Sequence, residues 1–490
     1  MVSTQCEAGF AFVPVNSSGK TQPIDRKTIR SHCMRGKNRR IGVPRRSFTR
    51  PTRTLSSPTP ALPADSASST IILSSAHQET EEQDKDLFVN VRSKGLTSFC
   101  APSNIAHVKF AIDMDGATKA LVIDSFRYFN EAMYPAELFK GLDIDQSEWG
   151  HWLFHDPAYL QCAFFMAFTT RDITENRPIT PTTYSHLREA IMHLNKRLSS
   201  SDNDVALGNS TIATVVILTI FSCIINDHEA AKAHIAGLQQ MVRLRGGLQT
   251  LALNPKLYLK LGRVDLIYSL NTGSQGLLCT YPLYCNPIFY NNDSLPTSLN
   301  SLNIQSDLSA HGLGLSDPQI VPIFLEMQHY ANLINTAHTM RQRRSTDEYH
   351  TAVCSFQYRL LQLNGCLGDT LSECLRLTLL AFLITTFQTP GIRAKYPYLA
   401  DCLRDSFLAV PELQGRGFRK LMRWILIVGA VSVFDVEDGW EWMVQRWRDN
   451  VDDQNMTWGE VRAGLKDIMW IDPLQDKLGR TAFEELNRRC

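Results

Sequence analysis

The stretch from residue 211 to residue 270 constrains the fold more than any other part of this 490-residue chain. It reads TIATVVILTIFSCIINDHEAAKAHIAGLQQMVRLRGGLQTLALNPKLYLKLGRVDLIYSL, and its apolar spacing predicts three consecutive helices. The first, residues 211–225, is apolar almost all round, which is typical of a helix buried on every side. It is shorter than the ~20 residues that a membrane-spanning helix needs, so we expect a core helix and no membrane partner.

The second helix of this stretch is amphipathic and has its own start and stop signals. Asn226 is predicted to cap it, with Glu229 reaching back to the cap. Gly246 and Gly247 are predicted to end it, because glycine adopts the left-handed conformation found at helix C-termini. Its apolar or small positions recur every three or four residues and predict one buried face: Ala231, His234, Ile235, Leu238, Met241 and Val242.

Helix start signals recur along the rest of the chain, and no alternating strand pattern accompanies them. The sequence therefore predicts an all-α fold, a large multi-helix array. Apolar periodicity predicts a helix within residues 123–138 that Pro135 ends, and further helices over residues 371–387 and 423–434. Residues 271–316 are rich in Gly, Asn, Pro and Ser, and we expect this long connection to line a groove or to project from the surface. Predicted N-caps and capping boxes lie at Asp156, Thr180, Ser345 with Glu348, and Thr457 with Glu460, and Asp472 with Pro473 is predicted to start the last helix.

Residues 1–86 differ in composition from the rest of the chain, residues 87–490. They contain no Tyr or Trp and only three Phe, so we expect a disordered tail that cannot bury enough surface to fold. Eleven Lys or Arg and no acidic residue lie between Arg26 and Pro63, and a short acidic end, residues 78–86, follows.

The basic segment of this tail fits a nuclear-targeting signal or an arm that lies along DNA phosphates. A solvated tail without a role and a mitochondrial transit segment are the alternatives. The residues concerned are Arg35, Lys37, Arg39, Arg40, Arg45, Arg46, Arg50 and Arg53.

Patterns that carry catalysis or bind metals were sought, and each candidate lacks an essential residue. His228 and Glu229 begin a zinc-protease pattern, but Lys232 stands where the second histidine is required. Asp452 and Asp453 lack the third carboxylate, one turn on, that a magnesium diphosphate site needs. The twelve cysteines are scattered, and we expect reduced thiols in a cytosolic or nuclear protein. We therefore expect no catalytic residue, no metal and no cofactor.

The segment HIAGLQQMVRLRGGL, followed by Arg263 and Asp265, resembles the helical regulatory domain of fungal-specific transcription factors, the middle homology type. The C-terminal part resembles the same domain, with RWILIVGAVSVF, then Trp440, Trp442 and Trp447, then TWGEVRAGLKDIMWID. The resemblance covers roughly residue 89 to the C-terminus. It implies a nuclear protein that binds other transcription proteins or a small effector and controls metabolic or secondary-metabolite genes. A homodimer is compatible with it.

Members of this family usually carry a binuclear zinc cluster with six cysteines before the helical domain. Only Cys6 and Cys33 precede Cys100 here, so these residues cannot form the cluster, and DNA contact is expected to be indirect or non-specific. The motif residues that the resemblance selects are His234, Gly237, Leu238, Met241, Val242, Arg245, Gly246, Gly247 and Asp265.

Most of these motif residues fit a packing role, but three are polar or charged. Because a charge near a buried helix end usually needs a partner, we predict that Arg245 and Asp265 pair across neighbouring helices. We expect His234 to be a hydrogen-bonded core histidine, with contact to an effector as the alternative. For the whole chain, the alternative to a regulator is an α-helical enzyme or small-molecule-binding protein whose site is lined by residues 271–316.

Overall fold

A computed structural model describes residues 109–490, except for 134–136, 141–147, 176, 252–253, 275–312, 314, 316, 387–395, 413–414, 435–439 and 451–455. This part is 78% helical, with fifteen helices, which confirms the predicted all-α fold. It contains no strand, only an isolated parallel bridge between Phe139 and Arg344. The predicted disordered tail and most of the long connection, residues 271–316, lie outside the described residues.

The first six helices pack into an N-terminal group. Its centre is formed by α3, which packs against α1, α2, α4 and α5, while α6 packs along α5. A four-residue helical turn, Asn203–Ala206, precedes α5, and a 3-10 turn, Leu248–Thr250, follows α6. The helices are α1 Gly116–Met133, α2 Glu148–His155, α3 Pro157–Thr174, α4 Pro181–Leu198, α5 Asn209–Ile224 and α6 His228–Leu244.

The last eight helices pack into a C-terminal group centred on α10 and α12. Helix α10 contacts α8, α9, α11 and α12, and helix α12 also contacts α13, α14 and α15. The helices are α8 Ile320–Thr339, α9 Thr346–Gln362, α10 Thr370–Thr385, α11 Pro397–Ala409, α12 Arg416–Ser432, α13 Glu441–Asn450, α14 Trp458–Ile468 and α15 Asp472–Arg489.

One helix, α7 Pro255–Thr272, joins the two groups. It packs against α5 of the N-terminal group and against α9 and α11 of the C-terminal group. No other described helix makes such extensive contacts across the boundary. The third helix of the 211–270 stretch therefore connects the N-terminal group to the C-terminal group.

Helix α5 is buried in the N-terminal core, as its apolar sequence predicts. By length and composition alone, Asn203–Ile224 could cross a membrane, since its mean hydropathy is 1.9. However, 67% of the tested residues are buried inside the protein, and the core helix of a globular protein passes the same test. This was the one candidate span found among the described residues.

Three fully buried tryptophans anchor the C-terminal group, and each has a partner for its indole N–H. Trp424 donates to the carbonyl of Met469 at 2.6 Å, and Trp447 donates to Oδ1 of Asn487 at 3.0 Å. Trp470 donates to a carboxylate oxygen of α15 at 2.8 Å. The tryptophans near the C-terminus therefore contribute large buried surfaces without leaving an unpaired indole donor.

Several predicted helix caps are confirmed. Asp156 accepts a hydrogen bond from the backbone N–H of Tyr159, and Thr180 accepts one from Thr183. Thr457 and Glu460 form a complete capping box at the start of α14. Ser345 forms only half of its predicted box, since the Glu348 carboxylate lies 3.7 Å from Arg344 instead of reaching back to the cap.

The predicted N-cap of α6 is wrong by one residue. Asp227, not Asn226, accepts the hydrogen bond from the backbone N–H of Ala230. Asn226 has φ 57° and lies in the turn that ends α5, where its N–H donates to Cys223 and the N–H of Asp227 donates to Ser222. Asparagine tolerates this left-handed position, so Asn226 ends one helix while its neighbour begins the next.

Two predicted helices begin earlier than expected. Helix α1 starts at Gly116 and not at residue 123, and it ends at Met133, two residues before Pro135, which is predicted to end it. Helix α12 starts at Arg416 and not at residue 423. The first turns of both helices are polar, so apolar periodicity does not reveal them. At α1 the side chain of Asp115 accepts a hydrogen bond from Thr118 and caps the turn.

Candidate functional site: a buried polar cluster on the central helix

The residues selected by the resemblance lie mainly along the buried face of α6, where the helix packs on α5. Helix α6 ends in a turn in which Gly246 and Gly247 both have φ near 100°. Their N–H groups donate to Arg243 and Val242, so both glycines are held in a conformation that favours glycine. The buried members of the set are His234, Gly237, Leu238, Met241 and Val242.

The predicted ion pair between Arg245 and Asp265 is wrong. The Arg245 guanidinium donates to the carbonyl of Leu207 at 3.2 Å, whereas Asp265 accepts from the hydroxyl of Tyr358 at 3.0 Å. Arg245 is the C-cap residue of α6, and its long side chain reaches back to Leu207, at the end of the short turn Asn203–Ala206. Asp265 lies mid-way along α7 and faces α9, so each group finds a partner in a different part of the core.

Asp265 and Tyr358 connect α7 to α9 in the interior. Asp265 is 2% exposed and Tyr358 is 1% exposed. The hydroxyl of Tyr358 also lies 3.2 Å from the carbonyl oxygen of Gly262, one turn before Asp265 on α7. A buried carboxylate costs free energy unless donors surround it, so this contact fixes how α7 sits on α9.

Two basic residues lie one turn apart on the same helix, Lys260 and Arg263. Burial, together with the positive charge of Arg263, lowers the pKa of Lys260 to about 7, although part of the Lys260 side chain stays accessible. Burial also lowers the pKa of Arg263. Helix α7 therefore brings two basic side chains, with the Asp265 carboxylate two residues beyond Arg263, to the junction of the two helix groups.

The groups that face these two cations are weak acids. They are the thiol of Cys354 and the phenol of Tyr349 on α9, and the phenol of Tyr396 at the start of α11. Burial raises the pKa of Cys354 and of Tyr396 to about 12 and raises that of Tyr349 as well. All three groups are neutral at physiological pH, because their pKa values lie well above it.

Two further titratable groups are buried in the helical core, His234 on α6 and His350 on α9. Burial lowers the pKa of each imidazole to about 4, and the charge of Asp227 opposes this shift only in part at His234. Both rings are therefore neutral near pH 7. His234 occupies the core position that its spacing predicts, and its ring does not add to the positive charge carried by α7.

The described residues do not show the chemistry of a metal or thiol enzyme. No group of three or more His, Cys, Asp or Glu among them could hold a metal ion. The described cysteines are all free, and burial raises the pKa of Cys223 and Cys374 to about 12. A protonated thiol is a poor nucleophile. The basic tail and nearly all of the 271–316 connection lie outside the described residues.

No protein-family model, no curated protein and no solved structure matches this chain. The family resemblance of the sequence is thus not supported by an independent match. The buried cluster on α7, formed by Lys260, Arg263 and Asp265 with Tyr358, is the candidate site on structural grounds alone.

Sequence reasoning missed Lys260, although a signal for its burial was present. Leu257 lies three residues before it and Val264 four residues after it, so apolar residues share its face of the helix. A lysine on such a face is predicted to be drawn into the core. The partner of Asp265 had no comparable signal, because it depends on which helix packs against α7.

Proposed function

We propose that this chain is a fungal transcription-regulator-like protein that acts through its helical domain. It binds other transcription proteins or a small effector and works in the nucleus; residues 1–490 hold no recognisable zinc cluster, so their DNA contact is indirect or non-specific. The motif around His234 to Leu248 and the tryptophan-rich C-terminal pattern support this proposal.

The observation that carries the proposal is the position of α7. This helix packs against both helix groups, and its Lys260 and Arg263 lie where those groups meet. A ligand or partner that binds one arrangement of the groups more tightly shifts the population toward it.

A tethered reporter assay tests the proposal. The full chain is fused to a heterologous DNA-binding domain in yeast, and transcription of a reporter gene is compared with that given by the DNA-binding domain alone. An activator raises the output and a repressor lowers it. Lys260→Met and Arg263→Met should change the output at equal protein level, whereas Lys232→Met, on the exposed face of α6, should not.

An output equal to that of the DNA-binding domain alone, with the fusion present in the nucleus, would overturn the proposal. The alternative function, an α-helical enzyme or small-molecule-binding protein, places its site on residues 271–316. Most of that segment lies outside the described residues, and no described contact favours this alternative.

A further inference from the structure

Helix α2 is held firmly on the surface of the N-terminal group. Trp149, Trp152 and Leu153 are buried on one side of it. The two indole rings pack edge-on at a centroid distance of 4.9 Å, and both contact the ring of Tyr159 on α3, at 6.1 and 5.8 Å. The backbone of α2 is therefore fixed by large aromatic contacts, and so is the direction in which its outer face points.

The outer face of α2 exposes two histidines one turn apart, His151 and His155. Their rings are stacked, with centroids 4.4 Å apart and planes 19° apart. Residues four apart on a helix are neighbours on its surface, so both imidazoles occupy the same patch of solvent. Neither ring is covered by another described element, since both residues are exposed.

The ring of His155 has a defined hydrogen bond. Its Nδ1 lies 3.0 Å from the backbone carbonyl oxygen of His151. A carbonyl oxygen can only accept, so Nδ1 carries the hydrogen and Nε2 of the neutral ring keeps its lone pair. Histidines that bind metals are commonly held in this way, with one nitrogen donating to a carbonyl and the other facing the ion.

We propose that His151 and His155 together chelate one divalent transition-metal ion of the type that prefers imidazole, such as Cu²⁺, Ni²⁺ or Zn²⁺. Two histidines at this spacing on one face of a helix bind zinc in known helical motifs. The lone pair of each imidazole replaces one water of the hydrated ion, and water completes the coordination. The exposed ring of His151 needs only a rotamer change to aim a nitrogen at the same ion.

The residue one turn before this pair adds to the attraction for a cation. Glu148 is exposed and lies three residues before His151 on the same face. Its carboxylate accepts hydrogen bonds from the amides of Asn209 and Asn254, which anchor it beside the pair. Its negative charge favours a positive ion nearby, whereas the two histidines supply the donor atoms.

Metal titration of the full-length protein tests the pair. Calorimetry with NiCl₂ is run near pH 7.5, where neutral imidazole prevails, on the wild type, His151→Asn, His155→Asn and the double variant. Because a chelate needs both rings, each single variant should lose the tightest Ni²⁺-binding event, and the double variant should lose nothing more. His228→Asn removes an exposed lone histidine on α6 and should leave that event intact.

Three outcomes would overturn the proposal. In the first, the double variant binds Ni²⁺ like the wild type. In the second, only one of the two single variants loses the tightest binding event. In the third, each single variant loses part of the binding and the double variant loses the sum, as expected of independent sites. Since both side chains are exposed, circular dichroism and thermal unfolding should match the wild type in every variant. The experiment does not depend on whether the chain regulates transcription.

Discussion

The hydroxyl of Tyr358 lies 3.0 Å from Oδ2 of Asp265, inside the junction between α7 and α9. This contact places a carboxylate of the linking helix against the C-terminal group and provides it with a donor. Since α7 also packs on α5, this hydrogen bond helps to hold the N-terminal group and the C-terminal group together.

Removing that donor should destabilise the fold. We expect Tyr358→Phe to lower the free energy of unfolding by about 1–3 kcal/mol, because a buried acceptor loses a hydrogen bond while the ring stays in place. Thermal and urea unfolding measure the change. Tyr184→Phe, which removes an exposed hydroxyl from α4, serves as the control and should leave stability unchanged. Equal stability of Tyr358→Phe and the wild type would contradict the role given to this contact.

The helix caps show how much of the fold is encoded locally. Asp156 and Thr180 could be identified from sequence because a cap depends only on residues within one turn and on the proline that follows. Asn226 was misassigned because it and Asp227 are both good caps, and only the path of the chain decides between them. Local signals thus predict that a helix starts, and neighbouring structure decides the residue.

The candidate site could be predicted only in part for a related reason. Spacing on α6 correctly placed His234 and Met241 on a buried face, since periodicity reports burial. Spacing could not show that the partner of Asp265 is Tyr358, ninety-three residues away in the chain, and not Arg245. Long-range pairing depends on the packing of α7 against α9, and no local pattern specifies which helices pack together.

Close packing around one glycine gives a second prediction. A Cβ at Gly479 on α15 would lie 2.6 Å from the buried ring of Trp470 and 2.9 Å from the partly buried ring of Trp458. We expect Gly479→Ala to destabilise the protein by about 1–3 kcal/mol through overpacking. A melting temperature equal to that of the wild type would show that the rings can move aside.

The matched control for this glycine lies on α14. A Cβ at Gly459 would meet nothing closer than 3.8 Å, at the hydroxyl of Thr457. Because alanine favours helix more than glycine does, Gly459→Ala should be neutral or stabilising by up to about 1 kcal/mol. The two substitutions make the same chemical change, so a difference in sign isolates the packing of the tryptophans.

The buried histidines predict a pH dependence of stability. His234 and His350 have a pKa of about 4 in the folded protein, below the usual value of 6.5. Between these values the unfolded chain binds more protons than the folded protein, so stability is full above pH 6.5 and is lost as pH falls toward 4. Each histidine contributes up to about 3 kcal/mol to this loss.

Unfolding measured from pH 7 to pH 4.5 checks this prediction. His350→Asn should flatten the fall in stability, because asparagine does not titrate there. His228→Asn removes an exposed histidine and should leave the profile unchanged. If His350→Asn shows the same pH dependence of stability as the wild type, then protonation of the His350 ring does not lower the free energy of unfolding.

The basic tail leads to a prediction about location in the cell. Residues 1–64 fused to a fluorescent reporter should drive it into the nucleus, because clustered Lys and Arg are recognised as nuclear-targeting segments. Replacing Arg39, Arg40, Arg45 and Arg46 by alanine should reduce nuclear accumulation of both the reporter and the full chain. A mitochondrial or cytoplasmic reporter would contradict the nuclear assignment and favour one of the alternatives.

Lys260 gives the last prediction, in which stability and function should separate. Its pKa is about 7 in the folded protein, below its usual 10.5, so the unfolded chain binds more protons between these values. Stability of the wild type should therefore rise as pH increases from about 7. Lys260→Met should remove this rise and stabilise the protein at pH 7, because methionine fills similar space without a charge beside Arg263.

Thermal unfolding between pH 7 and about pH 7.8 measures this effect below the pKa of about 8.5 at which unfolded thiols ionise. Lys232→Met, on the exposed face of α6, controls for the loss of a lysine and should keep the pH profile. If Lys260→Met is more stable yet loses its effect on a reporter gene, the ammonium serves binding and not folding, since residues retained at a cost to stability mark functional sites. A destabilised Lys260→Met would instead show that the cation is needed to hold α7 against its neighbours.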